Sequence, residues 1–185
     1  MNAQRPDFPE TLETARLIIR AVRLDDARVL NEAVRESFAE LHPWMPWAEK
    51  PPTMADSVEA CRSMRVKWLL REELMLVFLN KGSGELVGCG GFHHIIWSVP
   101  ALETGYWCRT KFTGNGFISE ALEAITSFAL ETWGVSRIAI ACDDRNERSW
   151  RVAARAGYQL EGILHHDQLD GCGRPRLTRV YAKIA

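Results

Sequence analysis

Residues Ile118, Ala121, Leu122, Ile125, Phe128, Ala129 and Trp133 form one apolar stripe at a spacing near 3.6. Nothing else in the chain restricts its fold as much, because such a helix must lay that stripe on an apolar partner. The neighbouring segments are of strand type. Leu102 to Arg109 precedes the helix, Gly134 ends it, and Ile138 to Cys142 follows as a continuous apolar run, expected to be buried on both faces. Upstream, Leu17 to Val22 is a short β-branched strand, and Asp25 is expected to cap a helix reaching about Phe38. Pro43, Pro46, Pro51 and Pro52 forbid a continuous helix through the next segment, and a second helix is expected from Asp56 to about Arg71. Leu74 to Leu79 and Leu86 to Trp97 read as a hairpin around Lys81–Gly84. Asn146 to Ala156 reads as a short helix ended by Gly157, and Tyr158 to Leu164 and Leu177 to Ile184 as two last strands.

The order is therefore β-α-α-β-β-β-α-β-α-β-β, a mixed α/β fold. At 185 residues the chain is expected to be one domain over 1–185, with 1–13 a loose N-terminal extension.

Charge narrows the function classes. The chain has 23 basic and 24 acidic residues and a formal charge of −1, which removes the electrostatic argument for a nucleic-acid or anionic-membrane binder. No apolar run approaches the roughly 18 residues that span a bilayer, and the polar start MNAQRPDFPE lacks a signal-peptide core. The five cysteines, Cys61, Cys89, Cys108, Cys142 and Cys172, form no CxxC pair and read as reduced thiols, so a cytoplasmic location is expected. His93-His94 and His165-His166 are adjacent pairs. Neighbouring residues on a strand face opposite sides, so neither pair makes a chelate by itself and no metal site is expected.

Gly114-Asn115-Gly116 stands just before the amphipathic helix. Two glycines around one residue let backbone N–H groups turn inward, and the helix N-terminus adds more N–H groups and partial positive charge. Together they suit a diphosphate, although a plain tight turn has the same sequence. The pattern is neither a P-loop nor a Rossmann fingerprint.

Four segments, in order, resemble the GCN5-related N-acetyltransferase (GNAT) superfamily and its RimJ/RimL-like branch of amino-terminal acetyltransferases. They are Glu13–Arg20, Glu103-Thr104-Gly105-Tyr106-Trp107, Lys111-x-x-Gly114-x-Gly116-Phe117-x-x-Glu120-Ala121, and Asn146-x-x-Ser149 with Ala156-Gly157-Tyr158-x-Leu160-Glu161-Gly162. The resemblance runs from about Thr14 to Ile184. It implies a largely antiparallel central sheet with a splayed parallel pair, acetyl-CoA as cosubstrate, and direct acetyl transfer to an amine in a ternary complex. The first loop position, usually Gln or Arg in the superfamily, is Lys111 here, which keeps the charge but loses the guanidinium fork.

The resemblance places acetyl-CoA against Trp107, Cys108, Arg109, Lys111, Thr113, Gly114, Asn115, Gly116 and Asn146. A backbone N–H near Trp107 or Cys108 would polarise the thioester carbonyl. Glu103 is the candidate general base, direct or through water, with a pKa expected to be raised in a partly apolar cleft. An ordinary solvent-facing strand glutamate is the alternative. Ser149 is the candidate donor to the leaving thiolate; the position where many relatives have an acidic Tyr is Ala153. Trp44 and Trp47, set among prolines, are candidates for the acceptor wall or for core plugs.

The implied acceptor is a protein or peptide α-amine. A small amine, such as a polyamine, metabolite or antibiotic, is a rival, and a non-catalytic acyl-CoA-binding or sensing domain is a rival of another class. No nucleic-acid or membrane partner is expected. The oligomeric state, a homodimer included, is left open.

Overall fold

The computed structural model describes residues 8–170 and 173–185, so Cys172 lies outside the described residues. One eight-stranded sheet carries the fold, in the order β1-β2-β3-β4-β5-β6-β8-β7. Its strands are β1 Thr11–Glu13, β2 Leu17–Ala21, β3 Leu74–Asn80, β4 Leu86–Ile96, β5 Ala101–Cys108, β6 Arg137–Asp143, β7 Gln159–Leu169 and β8 Pro175–Ile184. The helices are α1 Ala27–Glu36, α2 Phe38–Leu41, α3 Met54–Leu70, α4 Phe117–Ser127 and α5 Glu147–Arg155. Neighbouring strands run antiparallel except β5 and β6, which are parallel.

The α4 stripe decides one side of the sheet. Ile118, Ala121, Leu122 and Ile125 are buried with Leu17, Ile19, Leu76, Phe78, Phe92, Leu102, Ile138 and Ile140. Each such Leu, Ile or Phe contributes roughly 1.5–3 kcal/mol by leaving water. The other side is a second cluster, in which Ala27, Leu30 and Cys61 of α1 and α3 cover Val77, Cys89 and Trp107. A reciprocal capping box starts α3: the Thr53 hydroxyl accepts from Asp56 N at 3.2 Å, and the Asp56 carboxylate accepts from Thr53 N at 2.8 Å.

Three expectations need correction. Residues 8–13 are not loose. Phe8 sits edge-on against Trp68, Phe92, Phe128 and Trp133, and β1 pairs with β2, because one more apolar ring and an open strand edge were there to be satisfied. Asp25 does not cap the first helix. The neighbouring Asp26 accepts from Arg23 N at 2.8 Å and holds Arg20 at 2.6 Å. Finally, β6 is not buried throughout: Ala141 is exposed. The reason lies in the parallel pair.

The pair is short. Ala101, Leu102 and Glu103 stand opposite Arg137, Ile138 and Ala139, and the pairing then stops. Beyond it β5 stays with β4 as far as Cys108 and β6 stays with β8 as far as Asp143. The two strands therefore part company while each keeps its other neighbour, and the sheet opens between them.

Candidate active site

The open seam leads into a cleft of about 360 Å³. One wall is Gly105, Tyr106 and Trp107 of β5. The other is Ile140–Asp143 of β6 with Asn146 and Ser149 at the start of α5, and Trp44, Met45, Pro46 and Trp47 close the front. A second cavity of about 180 Å³ adjoins it, sharing Trp44, Met45, Pro46 and Arg176 and adding His42 and Asp170.

Strand geometry orients the β5 backbone. Arg109 N donates to Val87 O on β4 at 2.7 Å. Amides alternate along a strand, so those of Tyr106 and Cys108 turn toward the seam and that of Trp107 turns to β4. Of the two amides expected to polarise a carbonyl, only Cys108 has the right direction. The Trp107 ring is buried and lies 6.2 Å from the half-exposed Trp47 ring.

At the start of α5, Asn146 Oδ1 accepts from Ser149 N at 3.2 Å, which fixes the first turn. Tyr106 Oη donates to Ser149 O at 2.9 Å, tying that turn to β5 across the opening. Burial pushes the Tyr106 phenol up, so it serves as a neutral donor. Burial also raises the Cys142 thiol, while a hydrogen bond from Ser149 pulls the other way.

Glu103 stands where the pairing ends. Its carboxylate lies 3.1 Å from His94 Nδ1 and 3.5 Å from His93 Nε2. Hydrogen bonding from His93, then from His94, holds it below the usual carboxylate range although burial opposes this. The expected upward shift is thus corrected: two imidazoles outweigh the desolvation. Glu103 does not itself line the cleft, whereas His93 does. The two histidines also overturn the expectation that adjacent strand residues diverge. His94 has φ +47°, left-handed and uncommon for a residue with a Cβ, and the turn brings both rings to one carboxylate.

The glycine loop lies apart from the cleft lining. Gly114 and Gly116 have φ +80° and +77°, and a Cβ at Gly114 would meet nothing within 4 Å. No side chain caps α4, whose N-terminus begins at Gly116. Open backbone N–H groups and an uncapped helix end fit a diphosphate. Lys111 is engaged elsewhere, paired with Glu85 and lying over the Phe112 ring. The cation at the loop is Arg16, to which no role was attached in the sequence. Its Nη1 donates to Asn115 O at 3.0 Å, its Nε reaches Glu120 at 2.6 Å, and its guanidinium lies 4.4 Å over the Phe117 ring. Thr113 Oγ1 and Asn115 Nδ2 spend their hydrogen bonds on loop carbonyls, and Arg109 holds Glu36. The structure thus brings Trp44, Trp47, Trp107, Asn146 and Ser149 to one cleft, leaves Glu103 outside its lining but beside His93, and leaves the side chains of Arg109, Lys111, Thr113 and Asn115 in structural contacts. Tyr106, His93, Cys142 and Arg176 join the cleft as residues the sequence did not single out for a role. Only Tyr106 stood in a recognisable motif.

Comparison with known proteins agrees with this geometry. The profile described as Acetyltransferase (GNAT) domain matches residues 16–159. The chain is 27% identical over 182 residues to the uncharacterized N-acetyltransferase YoaA of Bacillus subtilis, covering 96% of this chain and 97% of that one. It is 27% identical over 175 residues to the ribosomal protein uS5 alanine N-acetyltransferase of Escherichia coli, covering 88% and 85%. Among solved structures, RimL, the ribosomal L7/L12 α-N-protein acetyltransferase in complex with coenzyme A, superposes with a TM-score of 0.89 at 22% identity, covering 95% of this chain and 98% of that one. The microcin C7 self-immunity acetyltransferase MccE, in complex with acetyl-CoA and AMP, gives 0.90 at 21% identity, covering 96% and 98%.

Proposed function

Since the chain belongs to the GNAT acetyltransferase family of acetyl-CoA-dependent N-acetyltransferases, we propose that its acceptor is the α-amine of a protein or peptide. The observation that carries this reading is a second cavity that shares Trp44, Met45, Pro46 and Arg176 with the cleft. Beside the cleft at the seam, walled in part by the same Trp44 and Arg176, lies a further space of about 180 Å³, room for residues that follow a reacting N-terminus. A small amine would leave that space unused. The low-lying Glu103 supports the same choice: a weak base suffices for an α-amine of pKa about 7.7–8.0, but serves a lysine amine near 10.4 poorly. The relatives that act on ribosomal proteins point the same way.

In this reading the backbone N–H groups of the glycine loop and the α4 N-terminus hold the CoA diphosphate, and Arg16 braces the loop through Asn115 O. The amine enters past Trp44 and Trp47. Glu103, which does not line the cleft, takes its proton through water or through His93. The Cys108 amide polarises the thioester carbonyl as the nitrogen adds, and the C–S bond then breaks. Ser149 donates a hydrogen bond to the departing thiolate, which takes up the second proton that the nitrogen sheds as the amide forms. Tyr106 and Asn146 are positioning residues that fix the turn carrying Ser149.

A turnover assay with acetyl-CoA and free-thiol detection tests the proposal. The acceptors are peptides with free or blocked N-termini, set against lysine side chains and polyamines. Free N-terminal peptides are expected to be the best acceptors, with acetylation mapped to the α-amine by mass spectrometry. A polyamine or other small amine with a hundredfold higher kcat/KM would overturn the acceptor, and thiol release with none of the amines would overturn the enzyme itself.

A further inference from the structure

We propose that His93, His94 and Glu103 form a three-ligand site for a borderline divalent transition-metal ion, with Zn²⁺ as the natural probe. One nitrogen of each ring and one carboxylate oxygen lie within 4.8 Å of one another. Tetrahedral zinc holds nitrogen and oxygen ligands at about 2.0–2.2 Å, which separates neighbouring ligands by about 3.3–3.5 Å. The oxygen already lies 3.5 Å from one nitrogen and 3.1 Å from the other, so small side-chain rotations complete the set. Two imidazoles and one carboxylate suit zinc or a neighbouring transition metal; magnesium and calcium prefer oxygen alone. A fourth position stays open to the cleft side, which His93 lines.

The backbone supports a built arrangement. A regular strand would send His94 to the opposite face from His93, and the left-handed His94 is what gathers both rings. The rings lie 4.9 Å apart, edge to face. Arg137 is the cation whose field reaches Glu103, and its charge is offset by a two-pronged pair with Glu161. The carboxylate therefore remains available to a metal. Occupation would engage the lone pair that the proposed mechanism needs on Glu103, so the ion would act as a reversible inhibitor. That consequence rests on the proposed acetyl transfer; the metal site does not.

The experiment titrates ZnCl₂ into the full-length chain against a chromophoric chelator, in parallel with turnover. One Zn²⁺ per chain is expected, undisturbed by millimolar Mg²⁺. His94→Asn and Glu103→Gln should each weaken it at least tenfold, while Cys172→Ser should not. Asparagine tolerates the left-handed backbone, and the His94 side chain is 73% exposed, so that variant should fold; an unchanged melting temperature checks this. No stoichiometric binding, or binding that His94→Asn leaves within twofold, overturns the site. Zn²⁺ should also slow the wild type, reversibly with EDTA, and leave His94→Asn turnover unaffected. Zinc bound without inhibition would uphold the metal site and overturn Glu103 as the base.

Discussion

Replacing Gly116 by alanine separates a backbone cradle from a charge clamp. The residue sits at φ +77°, and an added Cβ would lie 3.6 Å from Arg16 Nη2, an ordinary contact. No clash opposes alanine there. What opposes it is the left-handed backbone, worth about 1–2 kcal/mol for a residue with a Cβ. The loop is exposed and can relax to negative φ without disturbing the core, and CoA would then have to restore the turn. Affinity should fall by the same amount, about five- to thirtyfold, with the melting temperature nearly unchanged. A loop that stays strained would instead lower the melting temperature by about 2–8 °C, from 2–4 °C per kcal/mol at this chain length. The two losses should together amount to the 1–2 kcal/mol. Gly114→Ala, at φ +80° with open space around it, should repeat the result. Lys111→Ala should change affinity less than twofold, because its ammonium is paired with Glu85. Calorimetry with CoA, beside thermal melts, reads all three. If both glycine variants kept wild-type affinity and stability while Lys111→Ala lost tenfold, the loop would hold its ligand by charge, and the backbone argument would fail.

Glu103→Gln should lower kcat most below pH 7 and recover toward wild type above about pH 8, where the α-amine loses its own proton; a flat defect across a pH–rate profile would remove the base role. Because the folded Glu103 pKa is lowered, its stabilisation is fully present above the unfolded value of about 4.3 and disappears as pH falls through the folded one. The melting-temperature gap between wild type and Glu103→Gln should therefore close in acid. Ser149→Ala should lose roughly 10- to 100-fold in kcat, the size of one or two hydrogen bonds to a developing charge, with acetyl-CoA affinity unchanged by calorimetry. Trp47→Ala should raise the acceptor KM about fivefold, equivalent to about 1 kcal/mol of lost apolar contact, and leave the melting temperature alone, since the residue is 54% exposed.

The fold was largely legible because its elements announce themselves locally. The 3.6 spacing of α4, the alternation of the strands and the glycines ending helices each act within a few residues. The edge strand β1 was not legible, because three residues carry no period; they are held by pairing with β2 and by Phe8 among rings from three distant segments. Gly88, Gly90 and Gly91 make β4 rich in glycine, and the sequence alone does not give the cause. A Cβ at Gly90 would lie 2.8 Å from both Gly105 O and the Phe78 ring, so the neighbouring strand and a core ring demand that glycine, and no ligand is required to explain it.

Two interruptions of pairing account for most of what the sequence concealed: β5 and β6 part after Glu103 and Ala139, and the β4–β5 ladder slips after His93. Periodicity along the chain describes a strand that keeps both of its neighbours. Where the seam opens, an apolar run need not be buried, as at Ala141. A carboxylate at the last paired position gains imidazole neighbours from β4 faster than it loses water, so its pKa falls where burial alone would raise it. Adjacent histidines need not face apart once the β4–β5 ladder slips between His93 and Ile96. Likewise Arg16 reaches Asn115 across 99 residues of sequence only because β2 and α4 pack on one face. The chemistry of the site thus depends on interrupted pairing, and interruption leaves no periodic trace. The motifs could mark where the cleft would be, but the charge states inside it follow from which strands let go of each other.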